Sequence, residues 1–280
     1  MGIGFIRIAA LVSIAATLFF SACASDSDSP VSADNKSGTG KNGDAQLDND
    51  RAIDVEPLFR RAVGRNEYLS LFVFYARPVA PVSCSDPNTN QAYSGLGAAW
   101  SARGMSGEYH PLYEPESVRG SAFDAMWLGF AAWARAVNDS ALVSFGLNAN
   151  GRSGPTRDNV NVVGWRRLAP RNVLAATWVW DNGAGVILEA DIFFNTGQEW
   201  SVNASIQPGA TTCGSNFDVQ AIATHEIGHF FGLGHVSSDG NAGNGDENDA
   251  TMAPTAAKKE LMKQTLTRGD LSGAVALIPA

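Results

Sequence analysis

The sequence feature that most constrains this chain is a cluster of histidines. Three of its four histidines, His225, His229 and His235, fall within a window of 11 residues. His225 and His229 are four residues apart, so both would project from the same face of a helix. A helix that presents two imidazoles, with a third supplied after a turn, suits a tetrahedral zinc ion with one open position. The spacing therefore predicts a catalytic zinc site rather than a purely structural one.

The residues around this window predict the elements that would hold the ligands. Residues 217–231 have apolar side chains at helical spacing, with Ser215 or Asn216 available as the cap. Gly232 can adopt the positive φ that ends a helix, which would turn the chain back and bring His235 to the metal. The core face of this helix is predicted to consist of Val219, Ala223, Ile227 and Phe230.

Glu226 directly follows the first histidine of the window. A zinc ion lowers the pKa of the water that it binds and polarises a scissile carbonyl, so that water can serve as the nucleophile. We expect Glu226 to accept a proton from the water and to pass it to the leaving amine, as general base and acid. The residues therefore predict hydrolysis without a nucleophilic side chain.

The first 23 residues are predicted to be an export signal, with Arg7 followed by an apolar run over residues 8–20. This run of 13 residues is shorter than the roughly 20 that a membrane-spanning helix needs. It ends in Phe-Ser-Ala-Cys, which resembles the lipobox of bacterial lipoproteins and predicts acylation of Cys23 and attachment to the membrane through the lipid. The alternative is an ordinary signal peptide, whose cleavage would release a secreted protein.

Residues 24–50 are almost entirely small and polar, and are predicted to be a disordered tether. Their six Asp and two Lys sum to −4, which is half of the net charge of −8. The acidity therefore indicates little about a substrate. Without a basic surface, we expect no nucleic-acid partner. We expect a monomer.

Residues 51–280 are predicted to form the folded domain, and residues 51–119 hold either its first strand or a short pro-segment. Ser121 is predicted to cap a core helix whose apolar stripe includes Trp127 and Phe130. Residues 77–120 give no clear pattern. Runs typical of strands cover residues 68–76, 141–147, 161–166, 173–180 and 186–195.

Four segments, VILEADIFFN, FDVQAIATHEIGHFFGLGH, TMAP and LTRGDLSGAVALI, together resemble the matrixin branch of the metzincin zinc peptidases, here in a bacterial lipoprotein form. The resemblance covers about residues 120–280. It implies an α+β catalytic domain with a twisted mixed sheet, an active-site helix, a second long helix and a C-terminal helix. Met252 would be the methionine of the Met-turn that metzincins fold beneath the zinc.

The resemblance also implies how a substrate would bind. A polypeptide would lie extended in a cleft, antiparallel to an edge strand, and the residues after Met252 would wall one pocket. The C-terminal helix would be capped by Thr267 and Asp270, and would pack through Leu271, Ala274, Val275 and Ile278. The expected edge strand consists of Ile187, Leu188, Glu189, Ala190, Asp191, Ile192 and Phe193.

The sequence departs from the matrixin pattern at three points. Val236 stands where matrixins usually have Ser, the loop before Met252 is long, and no tyrosine follows that methionine. The missing tyrosine argues against the astacin and serralysin branches. The loop at residues 237–249 is acidic and would either hold Ca2+, as matrixins often do, or simply be solvated, which we favour.

Cys84 and Cys213 would remain after processing at Cys23. In an oxidising compartment we expect them to form a disulfide. The alternative is that Cys84 acts as an inhibitory thiolate on the zinc, as in matrix metalloproteinase propeptides. Its neighbours lack the Arg before and the Gly after the cysteine that this switch uses, which argues against it.

The favoured function is a zinc endopeptidase that acts on extracellular or cell-surface proteins. One alternative is a surface binding or adhesion lipoprotein with a structural zinc site, and another is an envelope maturation factor with one dedicated partner. Glu226 argues against the binding role, because a structural zinc site does not need a general base.

Overall fold

The fold consists of a mixed β-sheet and three α-helices, described in the computed structural model for residues 59–77, 91–203, 214–236 and 250–279. The predictions for Cys23, Cys84, Cys213, the tether and the loop at residues 237–249 lie outside these described residues. The helices are α1 (Ala122–Ala136), α2 (Val219–Phe230) and α3 (Arg268–Leu277). The strands are β1 (Phe59–Gly64), β2 (Glu67–Ala76), β3 (Ser94–Gly95), β4 (Met105–His110), β5 (Val143–Leu147), β6 (Asn161–Arg166), β7 (Val173–Asp181), β8 (Ile187–Asn195), β9 (Trp200–Ser201), β10 (Phe217–Asp218), β11 (Leu233–Gly234) and β12 (Thr255–Ala256).

Seven of these strands form the main sheet in the order β1-β2-β7-β8-β6-β4-β5. Strands β8, β6, β4 and β5 run parallel to one another, whereas β1, β2 and β7 are added by antiparallel pairing. Parallel neighbours need a long crossover, and α1 supplies the one between β4 and β5. The short strand β12 pairs with β2 at its outer side. The expected α+β domain with a mixed sheet and three helices is confirmed.

The core lies between one face of the sheet and the helices α1 and α2. Both faces of β2 are buried, because alternate residues of a strand point to opposite sides. Phe72 and Phe74 belong to the main core, whereas Val73 packs in a small cluster with Val173 and Ala176 on the other face. Strand β2 therefore contributes buried side chains to both faces of the sheet.

The two long helices approach closely at Gly129 of α1. A Cβ atom at this position would lie 2.9 Å from Cδ1 of Ile227 and 3.1 Å from the backbone nitrogen of Thr224. Trp133, one turn further along α1, is fully buried and donates its indole N–H to the carbonyl of Thr224 at 2.8 Å. These contacts fix α2 against α1.

The predicted edge strand is wrong, because β8 lies inside the sheet. It pairs with β7 on one side and with β6 on the other, so Ile187 to Phe193 have no free edge for a peptide. The expectation rested on the position of this strand shortly before the active-site helix in the sequence. Position along the chain does not determine position across the sheet, because β7 folds back antiparallel to β8 and lies on its outer side.

Two predicted helix faces also differ from the structure. Trp127 of α1 is 39% exposed, while its neighbour Phe130 is buried as expected. In α3 the Thr267 and Asp270 capping box is present, but Leu271 is 39% and Val275 70% exposed. The buried side of α3 instead carries small residues, including Gly273, whose Cβ would meet Leu233 and Tyr93 at 2.9 and 3.0 Å. The close approach of neighbouring side chains to the backbone of α3, which only small residues permit, decides this face rather than apolar periodicity.

In the part of the chain that the structure describes, no helix is both long and apolar enough to cross a bilayer.

The contact at Gly129 generates a stability prediction. Gly129→Ala would place a methyl group against the backbone of α2, and overpacking of this kind costs about 1–3 kcal/mol of unfolding free energy. The matched control is Gly146→Ala in β5, where a Cβ meets no atom within 4 Å and the expected change is within about 0.5 kcal/mol. Urea unfolding followed by tryptophan fluorescence measures both. Equal midpoints for the two variants would show that α1 and α2 are not held at this distance.

Candidate metal centre

Helix α2 carries the first two histidines, and its N-terminus is fixed by Asp218. This residue has extended backbone dihedrals, and its side chain accepts a hydrogen bond from the N–H of Ala221 at 2.8 Å. A side-chain oxygen at this position satisfies one of the N–H groups that the first helical turn leaves without a partner. Asp218 caps the helix in place of the predicted Ser215 or Asn216, and the helix starts two residues later than predicted.

The ring nitrogens of the three predicted ligands converge. Nε2 of His235 lies 3.1 Å from Nε2 of His229 and 3.3 Å from Nε2 of His225. All three residues are buried, and among the described residues they are the one group whose potential ligand atoms meet in this way. The structure therefore brings together the three histidines that the sequence singled out, around a single point.

Backbone carbonyls set the orientation of two of the rings. Nδ1 of His225 lies 2.7 Å from the carbonyl oxygen of Thr251, and Nδ1 of His229 lies 2.8 Å from that of Leu233. A carbonyl oxygen only accepts hydrogen bonds, so both Nδ1 atoms carry the proton and donate it. Each Nε2 is then left with a free lone pair that points at the other rings.

This arrangement fits a zinc ion better than it fits a hydrogen-bonded cluster. Because His225 and His229 both present unprotonated Nε2 atoms, these nitrogens cannot donate hydrogen bonds within the cluster. Four-coordinate zinc with bonds of 2.0–2.1 Å requires its nitrogen ligands to lie about 3.3 Å apart. The observed separations of 3.1 and 3.3 Å agree with that spacing.

Burial keeps the three imidazoles neutral, which is the form that binds metals. Burial lowers the pKa of His225 and His235 well below the usual 6.5, and lowers that of His229 to about 4. The hydrogen bond to Leu233 opposes the effect at His229 but is the smaller influence. Near neutral pH all three rings are therefore ready to donate lone pairs without first losing a proton.

Glu226 lies at the same site and has one free oxygen. Its Oε2 accepts a hydrogen bond from the hydroxyl of Thr177 on β7, whereas its Oε1 has no partner among the described residues. Burial raises the pKa of this carboxyl to about 8, with the Thr177 hydroxyl opposing the shift. A divalent cation beside the carboxyl would favour its ionised form, which is the form that accepts a proton.

Met252 packs beneath the histidine helix. Its side chain is fully buried, and a Cβ added at Gly228 would lie 2.2 Å from its sulfur. The carbonyl of Met252 accepts a hydrogen bond from the N–H of Val236 at 3.0 Å. The residue before Met252 holds His225 through its carbonyl. This turn therefore positions ligands from both the helix and the segment that follows it.

Gly232 makes the turn that brings His235 to the site. Its φ is +97°, as the sequence predicted for the end of this helix. A Cβ at this position would lie 2.4 Å from the carbonyl oxygen of Ala98, so any side chain would collide with the neighbouring backbone. The turn is fastened on this side, because the N–H of Leu96 donates to the carbonyl of Gly232 at 2.8 Å.

The acidic residues of β8 have a structural role rather than a place in the cleft. Asp191 is fully buried and accepts hydrogen bonds from Arg152 and from the N–H groups of Thr156 and Val162, all at 2.9 Å. Glu189, also fully buried, is bound by the Arg157 guanidinium at 3.0 Å and by two backbone N–H groups of the same loop. Both carboxylates therefore order residues 148–160, which connect β5 to β6.

Three residues that contribute to the site were not predicted from the sequence. Thr177 is the one hydroxyl in the apolar run of β7, and a hydroxyl buried in a strand needs a hydrogen-bond partner, so it could have been flagged. Phe72 and Phe74 of β2 stack on His229 and His225, with ring centroids 4.4 and 3.8 Å apart. Nothing in the pattern of β2 distinguishes these aromatic residues from ordinary core residues.

Comparison with known proteins agrees with this geometry. The matrixin family model matches residues 167–277, which span β7, β8, all three histidines, Met252 and α3. A search of curated proteins found no match.

The convergence of the histidines predicts a zinc ion that depends on all three. His225→Ala should weaken zinc binding by more than about 100-fold, because even loss of a group that only orients a ligand costs 10- to 100-fold. Zinc at about 100 times its dissociation constant should stabilise the natural chain by about 2.7 kcal/mol and leave this variant unchanged. Calorimetric titration and thermal unfolding with and without zinc give both numbers. His110→Gln, at a histidine that instead pairs with Glu108, should retain the metal, and loss of zinc there would contradict the assignment.

The arginine pairs of β8 predict which ion pairs matter for stability. Arg152→Ala would leave Asp191 buried without its cation, and a broken buried pair costs about 3–5 kcal/mol of unfolding free energy. The control Arg119→Ala removes an exposed pair with Glu116, which is worth about 0–1 kcal/mol. Denaturant unfolding compares the two. A small effect of Arg152→Ala would mean that the backbone N–H groups alone satisfy Asp191.

Proposed function

We propose that this chain, which contains a matrixin-like metzincin domain and is a zinc metallopeptidase, is an endopeptidase whose general base is Glu226. The observation that supports this assignment is one unpaired carboxylate oxygen. Oε1 of Glu226, the residue that directly follows His225, is buried and has no hydrogen-bond partner among the described residues. Leaving a buried carboxylate oxygen without a partner is costly, so such an oxygen suggests a role in binding or catalysis.

Each residue of the site has a defined part in the hydrolysis. His225, His229 and His235 would hold zinc through their Nε2 atoms, and a bound zinc ion would supply the positive charge that activates water and polarises the peptide carbonyl. Oε1 of Glu226 accepts the proton from the attacking water and then delivers it to the leaving nitrogen. Thr177 holds Oε2, which restricts the orientation of the carboxylate and leaves Oε1 as the oxygen free to accept the proton.

The substrate in this proposal is a polypeptide bound in an extended conformation. Strand β7 contacts the site through Thr177, which lies beside Glu226, and β2 contacts it through Phe72 and Phe74. A peptide that paired with β7 would run along α2 and past the histidines, with backbone hydrogen bonds giving affinity and side-chain pockets giving specificity. In this proposal β7 replaces β8 as the strand that receives the substrate, and the peptide would take the place of β2, which pairs with β7 in the structure.

The proposed place of action is outside the cell. The apolar run at residues 8–20 and the Cys23 motif support export and lipid attachment to the bacterial cell envelope, with secretion as the outcome if the motif is not used. Residues 24–50 would then tether the enzyme, and Cys84 and Cys213 would be free to form a disulfide. Substrates would be extracellular or cell-surface proteins.

The role of Glu226 is tested by Glu226→Gln in the zinc-loaded full chain. Glutamine keeps the size of the side chain but cannot accept the proton, and removal of a general base costs about 10²- to 10⁴-fold in rate. Because Phe72 and Phe74 cover the histidines, the substitution is made in the natural chain and also in a chain with both phenylalanines changed to alanine. Hydrolysis of casein and of quenched fluorescent peptides is the measurement.

The control for this experiment is Glu116→Gln, which changes an exposed glutamate and should leave the rate unaltered. Zinc content is measured in every variant. Cleavage that survives Glu226→Gln would exclude the mechanism. An absence of cleavage in both backgrounds, with zinc bound, would favour the binding lipoprotein that the sequence left as an alternative.

A further inference from the structure

Strand β2 seals the candidate metal centre from solvent. His225, His229 and Glu226 are each 0% exposed, although a peptidase site must admit water and a peptide. The covering groups are Phe72 and Phe74, which are themselves 2% and 0% exposed and stack on the two helix histidines. The edge of the Phe72 ring also meets His235, at a centroid distance of 6.1 Å. Two side chains of one strand thus cover all three metal ligands.

The backbone of β2 makes the hydrogen bonds that a bound peptide would make. It runs antiparallel to β7 from Tyr68, opposite Asp181, to Tyr75, opposite Val173. At its end it also pairs in parallel with β12, where the N–H of Tyr75 donates to the carbonyl of Pro254 at 3.1 Å. An extended segment lying between β7 and the chain that follows Met252 has the geometry of a peptide added to a sheet edge.

The edge of β2 that faces away from β7 is paired except beside the histidines. On this edge β1 pairs with residues 67–71, and β12 pairs with Tyr75 and Ala76. Among the described strands, none pairs with this side of β2 at Phe72, Val73 and Phe74. The interruption therefore coincides with the residues whose rings lie on the metal ligands.

Without β1 and β2, strand β7 would form the edge of the sheet beside α2. The strands that remain, in the order β7-β8-β6-β4-β5, stay joined by parallel and antiparallel pairing. They also keep the main-core residues of α1, α2 and β8. The β1-β2 hairpin is attached to it by an ion pair, in which the Arg60 guanidinium donates to both oxygens of Asp181 at 2.7 and 2.8 Å. The edge that a substrate needs is therefore taken by the chain itself.

We propose that β2 is an internal occupant of the substrate groove, so that the chain is latent and hydrolyses peptides only after β2 is displaced. This inference rests on the proposed peptidase function. Phe72 and Phe74 carry no metal-ligand atom, so inhibition acts through steric cover and through competition for the hydrogen bonds of β7. It needs no thiolate on the zinc, and Cys84 has no part in it.

The test uses the zinc-loaded full chain with Phe72→Ala and Phe74→Ala together. Loss of both rings should raise the fraction of chains with an open groove, and the rate of peptide hydrolysis rises in proportion to that fraction, by about tenfold or more. Two further readouts do not depend on catalysis. Dipicolinic acid should withdraw zinc about tenfold faster, and backbone amides of β7 should exchange with deuterium faster than in the natural chain.

The matched control is Phe194→Ala. Phe194 is as deeply buried as Phe74, but it lies on β8 and packs against Trp165 and Trp200, away from the histidines. It should lower the unfolding midpoint without raising hydrolysis, zinc withdrawal or exchange in β7. A comparable rise in this variant would mean that general loosening of the core, rather than loss of β2, opens the site.

A second variant guards against misfolding of the double alanine chain. Arg60→Ala removes the ion pair that attaches the hairpin and leaves every core side chain in place. It should increase hydrolysis and zinc withdrawal in the same direction, by a smaller factor, and Arg119→Ala serves as its control. A synthetic peptide of residues 67–76, given a lysine tail for solubility, should inhibit the opened chain more strongly than a scrambled peptide.

The outcomes separate the two proposals. If the natural chain and both opened variants hydrolyse peptides at the same rate and lose zinc equally fast, the latent role of β2 is excluded and the peptidase function stands. Equal inhibition by the ordered and scrambled peptides would also count against a groove that recognises β2. If the variants lose zinc faster but cleave nothing, β2 does close the groove, and the proposed peptidase function is the part that fails.

Discussion

The arrangement of the metal centre depends on two hydrogen bonds from imidazoles to backbone carbonyls. His225 and His229 belong to one helix, yet their orientations are set by Thr251 and Leu233, which lie on different segments after that helix. Each bond places the proton on Nδ1 and frees Nε2. The Met252 turn and the turn at Gly232 must therefore both be formed before the three lone pairs can meet. The burial of α2 and the close fit of Gly228 and Gly232 follow from this requirement.

Close packing around α2 is achieved with small residues rather than with large apolar ones. Gly129 brings α1 against the helix, Gly228 admits the sulfur of Met252, and Gly273 lets α3 approach β11, the strand that precedes His235. The indole of Trp133 then satisfies a carbonyl of α2 in the interior. Because α2 has packed neighbours on every side, it cannot shift to let water reach its buried polar groups. This burial keeps the histidines neutral and raises the pKa of the Glu226 carboxyl.

The sequence predicted the three histidines that converge, the glutamate next to the first of them, the buried methionine that packs against their helix and most strand positions, because each depends on local spacing or on a short motif. It predicted residues 161–166 as a strand with the bounds later found for β6. It did not predict the order of strands across the sheet, because that order depends on pairing between segments far apart in the chain. The β8 carboxylates were misread for the same reason, since their partners Arg152 and Arg157 lie more than thirty residues away. The cap at Asp218 was missed because Ser215 and Asn216 offered equally good local signals.

Arg152 and Arg157, which pair with the two carboxylates of β8, also determine whether the loop at residues 148–160 needs cations from the surrounding solution. Buried carboxylate pairs of this kind are often satisfied by calcium, whose occupancy depends on the concentration of free ion in the medium. A guanidinium stays protonated throughout the physiological range and is covalently part of the chain. This loop therefore carries its own counterions, so we expect its order not to depend on the calcium concentration of the medium. A calcium chelator should leave the pairs of Asp191 and Glu189 with these arginines intact.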